Sequence, residues 1–212
     1  GLDPDVALPH VMGHEFAGQI VEVGPQCRHF RVGDRVTAPF ILSCGHCTDC
    51  QAGRPTVCAD QEGIGFTVWG AFAERIAISA ADFNLVHLPD AIDFVPAAGM
   101  GCRVTTAWRA LTDRAQLAPG EWLVVHGAGG VGLSATIIAG ALGARVLAVD
   151  ISDDALTKAT ELGANAVLNV SGIDDVGEAV RDLTGGGAHV SIDALGSGLT
   201  FTNSLRSLRK LG

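Results

Sequence analysis

Four thiols fall within fifteen positions of this sequence, spaced Cys44-x2-Cys47-x2-Cys50-x7-Cys58. Four thiolates on so short a loop can surround one zinc ion tetrahedrally and leave no coordination position open. Such a site contributes folding energy and does no chemistry. Gly45 and Gly53 supply the turns. Two alternatives stand beside the all-cysteine site: His46 in place of one cysteine, or a redox dithiol pair. Two more metal-binding residue types lie far apart, His14 (followed by Glu15) and Cys102. Taken singly, each has a plain reading, since histidines commonly sit at surfaces or in hydrogen-bonded cores and a cysteine in an apolar helix acts as a small hydrophobe. Cys27, His10, His29 and His87 suggest only packing or exposure.

A second pattern points to a nucleotide. Gly127-Ala128-Gly129-Gly130-Val131-Gly132 fits G-x-G-x-x-G, follows a short apolar run and opens a helical one. In that context the first glycine permits a tight turn, Gly129 lets the backbone approach a pyrophosphate, and Gly132 lets the helix pack closely on the strand. The unpaired N–H groups of the helix start would meet the phosphates. Asp150 ends the next apolar run. A carboxylate there accepts hydrogen bonds from a ribose and repels a 2′-phosphate, and no Arg follows it in Ile151-Ser152-Asp153, so the charge favours NAD over NADP.

These residues need a scaffold, and the chain supplies two textures. The first ~90 residues read as short β-runs (Gly18–Val23, Arg35–Ala38, Phe72–Ile78, Asn84–His87) broken by Gly and Pro. Phe94–Leu111 reads as helix. After Pro119-Gly120, strand and helix alternate: Trp122–His126, then helix from about Gly130 to Leu142, Arg145–Val149, Asp153–Leu162, Ala166–Val170, Asp174–Leu183, His189–Ala194 and Gly198–Leu208. That alternation means βαβ units, a parallel sheet and helices on both faces. The fold class is therefore α/β, with a β-rich domain at 1–95 and a doubly wound dinucleotide-binding domain at 96–212. The latter is incomplete, with four strands where six are usual.

With 48% apolar and 17% charged residues the chain is globular. A net charge of -9 and no basic cluster argue against a nucleic-acid partner, a zinc-knuckle binder included. Trp122–Ala144 is uncharged and long enough to span a bilayer, but its glycines split it, so no membrane partner is expected. Gly1–Pro9 has the form of neither a signal nor a transit peptide, and crowded cysteines without one indicate metal binding in a reducing cytoplasm.

Gly13-His14-Glu15-Phe16-Ala17-Gly18, the four-cysteine loop, Gly101-Cys102-Arg103-Val104-Thr105-Thr106-Ala107 and the glycine-rich turn occur in that order. Together they resemble the zinc-containing medium-chain alcohol dehydrogenases, a group that includes polyol and threonine dehydrogenases. The resemblance implies a chaperonin-10-like (GroES-like) catalytic domain followed by a Rossmann domain, with one catalytic and one structural zinc per complete subunit. It implies that His14 and Cys102 are ligands of the catalytic zinc and that Glu15 is an acidic neighbour able to approach the metal. Thr106 would contact the nicotinamide, Val131 would lie behind its ring, and Asp150 would bind the ribose. The family's further catalytic cysteine, with a hydroxyl that starts the proton relay, lies upstream of Gly-His-Glu. Gly1–Met12 hold no Cys, so the sequence reads as a fragment lacking both ends.

The implied reaction is reversible NAD-linked oxidation of a primary or secondary alcohol to an aldehyde or ketone, by a homodimer or homotetramer. Zinc would acidify the alcohol, and the alkoxide would pass a hydride to the nicotinamide. Two rivals remain. The zinc-free quinone and enoyl reductase branch is opposed by the cysteine loop, His14 and Cys102. A noncatalytic NAD-binding or redox-sensing protein is supported only by the unmatched ligand.

Overall fold

The computed structural model describes Val6 and Leu8–Gly212. The reading of Gly1–Pro9 as leader-free falls mostly outside those residues. The chain divides into two compact units, Gly1–Thr105 and Thr106–Gly212, a division ten residues later than the change of texture at 95.

In the first unit, β1 (Ala17–Gln19), β2 (Arg35–Thr37), β3 (Ile41–Leu42), helix α1 (Thr48–Gln51), β4 (Glu62–Gly63), α2 (Ala81–Asn84), β5 (Val86–His87) and α3 (Phe94–Ala98) follow in order. One antiparallel sheet has the order β1-β2-β5, pairing Ala17 with Thr37 and Val36 with His87; a second pairs β3 with β4. Ala38, Leu42 and Ile64 form the core, with Phe16, Ile76, Ile78 and Leu85 packed against it.

Three expected strands come out differently, Gly18–Val23 being strand only as far as Gln19, the end of β1. Phe72–Ile78 forms no strand. Its alternation is real, because Ile76 and Ile78 both turn to the core, but the segment has no ladder partner. Asn84–His87 is a strand only at β5. Asn84 ends α2, buried, its amide accepting from the Ser43 N–H (2.9 Å) and donating to the Ser43 carbonyl (3.0 Å).

After α3 a π-helical turn spans Met100–Val104, α4 covers Thr105–Arg109 and a second π-helical turn covers Ala110–Arg114. The helix expected over Phe94–Leu111 is thus present but widened, with Cys102 inside the first wide turn. Such turns occur frequently at functional sites.

The second unit alternates strand and helix: β6 (Trp122–His126), α5 (Gly130–Ala141), β7 (Arg145–Asp150), α6 (Asp153–Glu161), β8 (Ala166–Asn169), α7 (Val176–Thr184), β9 (Val190–Asp193) and α8 (Gly198–Arg206). All pairings are parallel and the order is β8-β7-β6-β9. Side chains alternate faces along a strand, and β7 uses both. Leu147 and Val149 pack with Val176 and Val180 of α7, while Ala148 packs with Leu156 and Ala159 of α6. Residues 146–149 are therefore buried on both faces, which explains their unbroken apolar run. The uncharged stretch Trp122–Ala144 is β6, the turn and α5; among the described residues no helix is long and apolar enough to cross a membrane.

Candidate functional site

The cysteine loop starts beside the Asn84–Ser43 clamp. Cys47 caps α1, its sulfur accepting from the Cys50 N–H at 3.5 Å, and the Cys47 N–H donates to the Cys44 sulfur at 3.4 Å. Sulfur–sulfur separations are 3.6 Å (Cys44–Cys58), 3.9 Å (Cys47–Cys58) and 4.0 Å (Cys44–Cys50). A tetrahedron with metal–sulfur bonds of about 2.3 Å has edges of about 3.8 Å. All four thiols are free, and their spacing is that of ligands around a centre, not of a bonded pair. His46 sets its Nδ1 against the Cys44 carbonyl oxygen at 2.9 Å and lies outside the group. The His46 backbone N–H, followed by that of Cys47, brings the Cys44 thiol down to about 6, whereas burial raises that of Cys50.

His14, Glu15 and Cys102 come together in the first unit, one ligand atom from each lying within 4.8 Å of the others. The segment bearing His14 is fixed by backbone bonds from Gly70, Ala71 and Phe72 to the carbonyls of Val11, Gly13 and Met12. The segment bearing Cys102 approaches closely because Gly101 lacks a side chain: a Cβ there would sit 2.6 Å from the Ala38 carbonyl oxygen. The rings of Phe40 and Phe66 flank His14 at 5.5 and 5.4 Å. Burial pushes the Cys102 thiol up, with the Glu15 charge adding to it. Arg103 does the opposite to Glu15. Its Nε and Nη2 donate to Oε1 at 3.0 Å and Oε2 at 2.6 Å, holding the carboxyl below its usual range.

In the second unit Thr106 is exposed. Gly127 has φ +99°, a conformation open to few residues but glycine. A Cβ on Gly132 would stand 1.9 Å from the Gly127 carbonyl oxygen and 3.0 Å from Val125 Cγ1, so helix and strand meet only because it is glycine. A Cβ on Gly129 would meet nothing within 4 Å, and α5 starts there without a side-chain cap. Gly130 and Val131 form the first turn of α5. Asp150 ends β7 and ties the motif to the next loop, Oδ2 accepting from the Ala128 N–H (2.7 Å) and Oδ1 from the Ser152 N–H (2.9 Å). Each oxygen keeps a further acceptor site.

Comparison with known proteins accounts for both units. Residues 1–90 match the alcohol dehydrogenase GroES-like domain, and residues 130–212 match the zinc-binding dehydrogenase family. An alcohol dehydrogenase of Geobacillus stearothermophilus is 39% identical over 206 residues, 97% of this chain. The chain belongs to the zinc-binding alcohol dehydrogenase family. Among solved structures, this family member superposes on the alcohol dehydrogenase TADH of Thermus sp. ATN1 with a TM-score of 0.89 at 33% identity, covering 95% of this chain and 59% of that one. An NAD-dependent alcohol dehydrogenase gives 0.88 at 34% identity, covering 98% and 60%. The chain spans about 60% of the length of the Geobacillus relative.

The chain's own residues fit zinc and a dinucleotide. The cysteine loop has the edge lengths of a zinc–thiolate tetrahedron. The second cluster offers imidazole and thiolate, a donor set suited to zinc, with its carboxylate engaged by Arg103. The open face at Gly129 and the uncapped start of α5 fit a pyrophosphate. Sequence reasoning missed the partner of Glu15. Arg103 was visible only as part of a motif, and nothing local announces a bond between residues 88 apart. It also missed the aromatic walls around His14.

Proposed function

We propose that this chain carries the metal and nucleotide sites of an NAD-linked alcohol dehydrogenase, which reversibly transfers a hydride between a primary or secondary alcohol and NAD. The observation that supports it most is the meeting of His14 and Cys102, residues of opposite ends of the first unit, around a space shared with one carboxylate. We assign His14 and Cys102 as zinc ligands, Glu15 as their acidic neighbour, and Cys44, Cys47, Cys50 and Cys58 as the structural zinc site. Gly127, Gly129, Gly130, Val131, Gly132 and Asp150 bind NAD, with Thr106 facing the nicotinamide. On this reading the metal-binding domain occupies about residues 1–95 and the nucleotide domain the remainder.

Zinc at His14 and Cys102 supplies a Lewis acid that makes an alcohol hydroxyl easier to deprotonate. The chain's residues do the rest. Phe40 and Phe66 keep water from one side of His14. The start of α5 receives the pyrophosphate. Asp150 accepts from the ribose and repels a 2′-phosphate. Free thiols throughout suit a reducing cytoplasm, and a homodimer or homotetramer is the expected assembly.

The test is zinc content and cofactor binding of His14→Ala. The variant should lose one zinc per chain and all turnover yet bind NADH as the parent does. Retained turnover would remove His14 from the ligands. Asp150→Gly should weaken the preference for NAD, and an unchanged NAD to NADP ratio would argue against its ribose role.

A further inference from the structure

Glu15 stands where it has two possible partners. One carboxylate oxygen lies within 4.8 Å of the ligand atoms of His14 and Cys102, close enough for a small side-chain movement to bring it onto a cation held between them. Both oxygens are instead taken by Arg103, in a two-pronged pair at 3.0 and 2.6 Å. Arg103 is the chain neighbour of Cys102, so the π-helical turn that presents the thiolate also presents the guanidinium. The planar fork matches a carboxylate in two places, and unlike Lys it fixes orientation as well as charge. Glu15 is the more enclosed partner, its side chain 23% exposed against 47% for Arg103.

We infer that Arg103 is a positioning residue that clamps Glu15 away from the metal, so that a zinc on His14 and Cys102 keeps free the coordination position the carboxylate would otherwise take. This rests on the zinc reading above. A free carboxylate beside a divalent cation is drawn to it.

The test is Co2+ titration, followed by visible absorption, of protein already holding one zinc per chain in the cysteine loop. The parent should bind one Co2+ with the intense bands of a low-coordinate thiolate site. Arg103→Met should bind it more tightly, with weakened bands as Glu15 joins the metal. Arg103→Met/Glu15→Gln should return to the parental spectrum, and Arg103→Lys should fall between. A plain surface ion pair would leave every spectrum alike. Identical titrations for the parent and Arg103→Met, or the same change in the double variant as in the single one, would overturn the inference while leaving the zinc reading intact. A parent that takes up no Co2+ would remove the zinc reading and this inference with it.

Discussion

Glycine at 132 can be tested against glycine at 140 in the same helix. In Gly132→Ala the new Cβ starts 1.9 Å from the Gly127 carbonyl oxygen, and real Cβ contacts essentially never fall under 3.0 Å. The oxygen would have to retreat by more than 1 Å. That atom is backbone in a turn held at φ +99°, so no rotamer change relieves the clash. Overpacking of this kind costs about 2–3 kcal/mol, which for a chain of this size lowers Tm by about 5–10 °C. In Gly140→Ala the Cβ meets nothing within 4 Å, and the gain in helix propensity should stabilise by about 0.5–1 kcal/mol. The same chemical change eight residues along should thus act with opposite sign. Thermal unfolding with NADH fluorescence titration reads both effects: Gly132→Ala should melt early and bind NADH at least about tenfold more weakly, a scale set by about 1.4 kcal/mol lost at the site. Gly140→Ala should bind as the parent does. If both variants shift Tm the same way, or Gly132→Ala binds NADH normally, the close contact between turn and helix is not what the fold depends on.

Other outcomes follow from the contacts of single side chains. Cys47→Ser removes a metal ligand and the cap of α1 together, so zinc content should fall by one per chain and thermal stability with it; unchanged zinc by elemental analysis would exclude the loop site. His126 is buried, and burial lowers its pKa to about 4. The unfolded chain, with an ordinary value near 6.5, takes up the proton first as pH falls, so stability should drop by up to about 3 kcal/mol between pH 6.5 and 4. His126→Gln should flatten that part of the curve in urea titrations. Asp175 caps α7, accepting from the Glu178 N–H, and pairs with Arg206; these hold its carboxyl below the usual range. Its contribution is present above the unfolded value and lost as pH falls through the folded one. Asp175→Asn should therefore be less stable than the parent at neutral pH, with the gap closing below about pH 4.

What the sequence makes legible is local. The spacing of Cys44, Cys47, Cys50 and Cys58 defines a site because one short loop holds every ligand. The turn from Gly127 to Gly132 is legible because strand, turn and helix adjoin in sequence. Apolar periodicity places the strands of the second unit within a residue or two, since burial on both faces leaves an unbroken run. The same signal fails at Phe72–Ile78, where alternate burial occurs without a hydrogen-bonded neighbour. It fails at Asn84 because a buried amide clamp on Ser43 overrides strand propensity. The centre of His14, Glu15 and Cys102 is legible in the sequence only through the family resemblance. The pairing of Arg103 with Glu15 emerges only in the folded chain, because an ion pair across 88 positions leaves no trace in spacing.

The two metal clusters also differ in what chain closure they demand. The thiols of the loop are separated by at most fourteen positions, so a coil can bring them round one ion at small entropic cost before anything else has folded. His14 and Cys102 meet only once β1, β2 and the wide turn at Met100–Val104 are in place. On the proposed zinc reading, connectivity should order assembly: under scarce zinc the loop should fill first, and the second ion should bind only where long-range folding is complete.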